Sequence, residues 1–233
     1  MDDVPWPIIL NSNRIRELRS LNILDTEPEQ SYDDLAEIAR LVCGTPVANV
    51  CLVSEDRQWF KAFVGSNVRE TPVEQSVCAH ALNEASALII NDLTHDERTR
   101  NNILVTGEAS LRFYAGVSLR LDSHLGVGTL CVLDTRPHPD GLAPAQIEAL
   151  EALGRQATIL LQVRRFLAAQ TEAELSSHST GQPIENIADA LILAYETNKV
   201  VKDQFLEKLL YSGLTHVAQR IARMKKSHKP SVN

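Results

Sequence analysis

Between residues 111 and 134 the chain reads LRFYAGVSLRLDSHLGVGTLCVLD. In the first half Phe113, Ala115, Val117, Leu119 and Leu121 alternate with Arg112, Tyr114, Gly116, Ser118 and Arg120. This period of two predicts a strand with one buried face. In the second half Leu125, Val127, Thr129, Cys131 and Leu133 interleave with Gly126, Gly128, Leu130 and Val132, so neither face is polar. A strand that is apolar on both sides needs cover on both. Joined by a turn at Asp122-Ser123-His124, the pair predicts a hairpin in the middle of an antiparallel sheet, with helices or a pocket against it. Gly126 and Gly128 leave room for another backbone, a helix or a ligand.

The rest of the chain fills in around this hairpin. Residues 13–24 predict a short helix with Ile15, Leu18 and Leu21 on one side. Ser31 is a good N-cap, and Tyr32, Leu35, Ala36, Ala39, Val42 and Cys43 form a helical stripe that Gly44 ends. Strands are predicted at Val47–Val53, Arg57–Val64 and residues 87–91, and short helices at residues 74–83 and 98–105. Pro144 opens a long helix reaching about residue 175, with Leu150, Ala157, Leu160 and Leu161 among its apolar positions. At ~1.5 Å per residue it is nearly as long as the domain is wide, so it predicts packing against a second copy through residues 13–24 and this helix. Leu150 and Leu160 are the expected contacts. Residues 176–182 form a polar linker. From Pro183 a second helical unit carries one stripe through Ile184, Ile187, Ala188, Leu191 and Tyr195, and a heptad-like one through Leu210, Leu214, Val217, Ile221 and Met224. It ends in a basic run at residues 220–229. The expected organisation is a sensory domain over residues 1–175, a linker at 176–182 and a helical extension at 183–233. The fold class is α+β: a sheet of five to six strands with helices at both ends.

Composition narrows the function. Of 233 residues, 44% are hydrophobic and 23% charged, which is ordinary for a globular chain. A net charge of −7 argues against nucleic acid and anionic membranes as partners. No apolar run approaches the ~20 residues of a membrane span, and the start MDDVPWPIIL does not read as a secretory signal. Cys43, Cys51, Cys78 and Cys131 have no metal-type pairing and read as reduced thiols of a cytoplasmic protein. Glycine-rich phosphate loops and hydrolase or zinc motifs are lacking, and no cofactor is expected.

Cys78 and His80 are the only nucleophile and base close in sequence. Two apart on a helix, they point away from each other, and the plain reading is a pocket wall. Asp92, His95, Asp96 and Glu97 read as turn formers rather than a metal cluster. Trp59 and Phe60 send one ring to each sheet face. Arg112 and Tyr114 share a face and can either hold a ligand or form a surface ladder.

Several motifs in order resemble one family. LNILDTEPEQSYDDLAEIARLVCGTPVANVCLV, DRQWFKAFVG, RETPVEQSVCAHAL, LIINDLTHDERTRNN and the hairpin resemble the GAF domain of the type at the front of bacterial sensor kinases and cyclic-di-GMP enzymes. The resemblance covers roughly residues 14 to 170. It implies a GAF fold with a loop-roofed pocket, between the sheet and residues 70–83 and 93–111. The implied function is sensory: a small ligand shifts populations, and the end helices and a homodimer interface carry the signal to a partner protein. Trp59, Cys78, His80, Asp92, Arg112, Phe113 and Tyr114 are the expected pocket wall. Bilin-binding relatives carry Cys directly followed by His in another helix, a pattern from which Cys78-Ala79-His80 departs. The Asn-Lys-Phe-Asp-Glu motif of cyclic-nucleotide-binding relatives is absent, and no kinase or cyclase module follows residue 170. Two alternatives stand beside the sensor: a thiol enzyme of the free methionine sulfoxide reductase type, pairing Cys78 with Cys51 or Cys131, and a dimerising scaffold without ligand.

Overall fold

The computed structural model describes residues 4–122, 124–176, 183–201 and 204–227. The chain forms two compact units, Met1–Arg165 and Phe166–Asn233.

The first unit is built on a six-stranded sheet of antiparallel pairs: β1 Val47–Val53, β2 Arg57–Val64, β3 Glu70–Pro72, β4 Leu88–Ile90, β5 Phe113–Leu119 and β6 Gly128–Asp134. The spatial order is β3-β2-β1-β6-β5-β4. The strand predicted to need cover on both faces, β6, is central. Leu130 and Val132 pack on one side, Cys131 and Leu133 on the other. The hairpin connection is longer than the three-residue turn expected, with the ladder closing at Leu119 and Gly128. The Gly126 amide donates to Leu82 O instead of to the ladder, while Val127 still donates to Leu119 O and accepts the Val53 amide. Ser123 of the expected turn lies outside the described residues.

One sheet face is covered by α2 Ser12–Ser20, α3 Gln30–Cys43 and α5 Pro144–Ser176. Leu18, Leu35, Ala39, Leu150, Ala157 and Leu161 pack there against Val50, Trp59, Ala115 and Val117. Gly154 lets α5 approach β5, for a Cβ there would stand 2.4 Å from Val117 Cγ2. Leu150 is fully buried in this core. It is therefore a core residue of its own unit rather than the intermolecular contact expected from the helix pattern. Gly44, at φ 67°, ends α3 in the left-handed conformation as predicted.

The predicted N-cap Ser31 lies inside α3, which begins one residue earlier. Glu29 O accepts the Tyr32 and Asp33 amides, and the Glu29 carboxylate turns to Lys61 and Arg164. In the β1–β2 ladder Val50 faces Ala62 and Cys51 faces Phe60, so Lys61 is the extra residue of a β-bulge. Its buried Nζ reaches Glu29 Oε1 at 2.6 Å, Glu27 O at 2.7 Å and Thr26 Oγ1 at 2.8 Å.

The opposite face carries loops and short turns, together with Ile9 of the small helix α1 Trp6–Ile9. Where residues 74–83 predict one helix, there are two 3-10 turns, Val73–Gln75 and Cys78–Ala81. Ser76 interrupts them because its hydroxyl accepts the Ala79 amide and donates to Gln58 Oε1. Of the helix expected at 98–105, only α4 Ile103–Thr106 forms, capped by the Asn102 side chain.

In the second unit α6 Pro183–Val201 and α7 Gln204–Ser227 pack as an antiparallel pair, with Leu191 over Gly213 and the Tyr195 hydroxyl 3.5 Å from Glu207 Oε1. Leu210 and Val217 are buried. Residues 177–182 of the expected linker, and the side chains of the basic end at 220–229, lie outside the described ones. Among the described residues no helix is long and apolar enough to cross a membrane.

Candidate functional site

Loops are needed over the second sheet face because α2, α3 and α5 cover only the first. Under them is a cavity of about 290 Å³. Its floor is Val47 and Asn49 of β1, Phe60 of β2, Tyr114 of β5, and Cys131 and Leu133 of β6. Residues from the β2–β3 loop, the turn at Val77 and Cys78, and Leu104, Ala109 and Leu111 close it over. No Arg, Lys, His, Asp or Glu is among the lining residues.

Two polar groups in this cavity lack partners. Asn49 Oδ1 and the Tyr114 hydroxyl are buried and accept or donate no hydrogen bond. Buried polar groups normally are paired, so each orphan calls for an explanation. The register puts them in one row: Asn49 faces Cys131, Cys131 faces Gly116, and the Tyr114 hydroxyl lies over Gly116, where a Cβ would come within 2.3 Å of it.

Above that row Cys78 Sγ lies 3.6 Å from Cys131 Sγ. The Cys131 thiol, and after it the Cys51 thiol, favour the Cys78 thiolate and hold its pKa below that of an ordinary thiol. Burial pushes Cys51 and Tyr114 up, and Cys131 is raised first by Cys78 and then by burial. All four cysteines are free and buried.

The seven residues expected at the pocket divide, and His80, half-buried in the turn Cys78–Ala81, is not among those lining the cavity. Cys78 and Tyr114 line the cavity. Trp59 and Phe113 lie on the helical face, because side chains alternate along a strand and their neighbours Phe60 and Tyr114 take the cavity side. Phe113 stacks on His138 with ring centroids 4.0 Å apart. Arg112 is committed to the backbone, donating to Val105 O at 2.9 Å and Leu111 O at 2.8 Å, so it fastens the roof rather than lining the site. Asp92 accepts from Thr94 and pairs with His95 at 3.0 Å. Thr94 holds the Asp92 carboxyl below the usual range. Asp96 carries Arg98, and the charge of His80 also favours its carboxylate. Asp92 and Asp96 are thus spent on local partners. Among the described residues no group of three or more His, Cys, Asp or Glu could hold a metal.

Asn49 is the residue the sequence reading passed over. Its signal was available: a polar residue inside the apolar run VANVCLV. A second concavity, of about 480 Å³, lies between α5 and β5, lined by Glu84, Arg120, Glu151 and Arg155 among others. It is larger but more open. Two of its polar groups are engaged, Arg120 with Glu84 O and Glu151 with the Ala87 amide. The orphaned atoms favour the first cavity.

Sheet order, helices on one face and a loop-roofed cavity on the other define an α+β domain with one candidate binding face. Residues 27–161 match the model of the GAF domain, and the chain belongs to that family. Over 135 residues the chain is 34% identical to a cyclic di-GMP phosphodiesterase of Pseudomonas aeruginosa, a match covering 58% of this chain and 23% of that protein. The chain thus spans under a quarter of that relative's length. Among solved structures it is similar to the blue-light absorbing form of the PixJ GAF-domain of Thermosynechococcus elongatus, at 15% identity and a TM-score of 0.47, covering 73% of this chain and 99% of that one. It is also similar to the GAF domain of an Acinetobacter phosphoenolpyruvate-protein phosphotransferase, at 16% identity and a TM-score of 0.47, covering 66% and 95%.

Proposed function

We propose that the chain is a cytoplasmic sensory or regulatory GAF domain that takes a small molecule in the cavity over β1, β5 and β6. It acts as a homodimer and hands its signal to a partner protein through its C-terminal helices. The observation that carries this reading is the pair of unsatisfied buried groups, Asn49 Oδ1 and Tyr114 Oη, lining one cavity. A ligand satisfies both, and its binding energy repays their desolvation.

A physical route leads from the cavity to the long helix. Phe60 lines the cavity, and Lys61 follows it as the bulge residue. Lys61 holds Glu29 at 2.6 Å, and Glu29 holds Arg164 of α5 at 2.6 Å. A ligand that prefers one placement of Phe60 therefore biases the contact between β2 and α5.

The test is mass spectrometry of small molecules released from the natively purified full chain. A defined molecule retained in stoichiometric amount is expected; protein with nothing released and no thermal shift across a small-molecule library would defeat the reading. Deleting residues 177–233 is expected to leave a cooperative melt and abolish partner capture.

The thiol-reductase reading has its own support in the 3.6 Å approach of Cys78 to Cys131. In that reaction two thiols reduce a sulfoxide to a sulfide, giving one disulfide and one water. Incubation with free methionine sulfoxide and a dithiol reductant decides it: turnover lost in Cys78→Ser would make the protein an enzyme.

A further inference from the structure

Given the ligand-binding reading above, we infer that the cavity selects a compact, uncharged, ring-sized ligand with a hydrogen-bond donor at one end and a polar group at the other, and that it turns away phosphate-bearing nucleotides.

Charge sets the first limit. The cavity's lining includes no Arg, Lys, His, Asp or Glu. Three cations next in sequence to lining residues are occupied elsewhere: Arg112 on two backbone carbonyls, Lys61 on Glu29 beneath the opposite sheet face, and Arg69 over the Phe63 ring. A phosphate entering the cavity would shed its hydration with no cation to replace it, which is prohibitive for a buried ion.

Hydrogen-bonding chemistry sets the second. Asn49 Oδ1 is an acceptor without a donor, so it asks for an N–H or O–H. The Tyr114 hydroxyl, also unpartnered, can donate to a carbonyl or ring nitrogen or accept from a second donor. Carboxylate or phosphate oxygens offer nothing to Asn49 Oδ1.

Distance sets the third. Asn49 and the Tyr114 hydroxyl flank Cys131 in one row across β1, β6 and β5. Two strand spacings separate the outer backbones by roughly 10 Å. A backbone span of that order suits one ring with a hydrogen bond at each end. Phe60 and Leu133 supply apolar walls for its faces. The volume of about 290 Å³ agrees, standing near the low end of the roughly 300–1,000 Å³ usual for small-molecule sites and below what a dinucleotide needs.

The experiment titrates the full chain, stripped of small molecules by partial unfolding and refolding, with two sets of probes by calorimetry. Indole, phenol and benzamide form the neutral set. Cyclic AMP, cyclic GMP, cyclic di-GMP and inorganic phosphate form the anionic set. At least one neutral probe is expected to bind, with affinity falling tenfold or more in Asn49→Leu. Tyr114→Phe, which keeps the ring, is the second variant should Asn49→Leu fold poorly, and a loss of severalfold or more is expected there. An anionic probe whose binding is weakened by either variant would overturn the ligand class while leaving the domain a ligand sensor. Neutral probes that bind unchanged in both variants would overturn the assignment of Asn49 and Tyr114. If no probe of either set binds and nothing co-purifies with the native protein, the ligand reading and this inference fall together.

Discussion

Cys78 and Cys131 are 53 positions apart in sequence, and their sulfurs lie 3.6 Å apart in a buried site on the cavity wall. The donors around Cys78 favour its thiolate, the form that attacks an oxidant. Treatment with one equivalent of hydrogen peroxide is expected to join these two sulfurs, the two thiols giving up two hydrogens and the peroxide leaving as two waters. Peptide mapping by mass spectrometry checks it. If Cys43 is oxidised first, the cavity does not admit the oxidant.

The roof responds to acid. Asp92 and Asp96 lie below the ordinary carboxyl value of 3.8, through Thr94 and Arg98 respectively. A depressed carboxyl stabilises the fold above its unfolded pKa and loses that contribution as pH falls through the folded one. Hydrogen exchange in residues 92–106 should therefore accelerate below about pH 4 before the sheet amides do. In Asp96→Asn this acid step should shrink. Uniform exchange across roof and sheet would contradict the assignment.

At Gly154 two effects oppose. Alanine in a helix interior gains about 1 kcal/mol over glycine. Here its Cβ would stand 2.4 Å from Val117 Cγ2, and overpacking costs roughly 1–3 kcal/mol. Val117 is β-branched and cannot easily turn away. Gly154→Ala is expected to destabilise by about 1 kcal/mol in urea denaturation, and adding Val117→Ala should recover part of that loss. A stabilised single variant would mean that α5 is free to shift.

Glu29 holds Lys61 and Arg164 together. Breaking a buried pair costs roughly 3–5 kcal/mol, and the partial exposure of Glu29 brings the expectation for Glu29→Gln to about 2. Because Lys61 is then left buried without its carboxylate, adding Lys61→Met should offset much of the loss. The double-mutant cycle measures it; strictly additive effects would show that the pair is uncoupled.

The dimer reading finds its apolar surface on α3. Ile38, Leu41 and Val42 fall on one exposed stripe, with Leu41 62% accessible. Leu41→Glu should convert a dimer to a monomer by light scattering with a melting temperature changed by less than a few degrees. A monomeric parent chain would end the homodimer proposal.

Most of the sheet was legible in the sequence because strand periodicity is a local property. Residues 47–53 and 57–64 read as strands at the bounds observed, and the two-sided apolar pattern of β6 marked it as central. Gly44 announced the end of α3 for an equally local reason, the need for a left-handed residue. The motifs of residues 21–134 sufficed for the family. The cavity wall needed more. Phe113 and Tyr114 are adjacent, yet one stacks on His138 and the other lies over Gly116, and which face became the cavity was decided by where α2, α3 and α5 packed. Lys61 became a bulge only through its pairing with β1, Ser76 broke a helix only because Gln58 was opposite, and Leu150 turned inward because Gly154 let its helix approach the sheet. Asn49 became a candidate ligand contact only when the register set it level with Cys131 and the Tyr114 hydroxyl. Each of these depends on a partner distant in sequence, and such contacts exist only once the strands have paired.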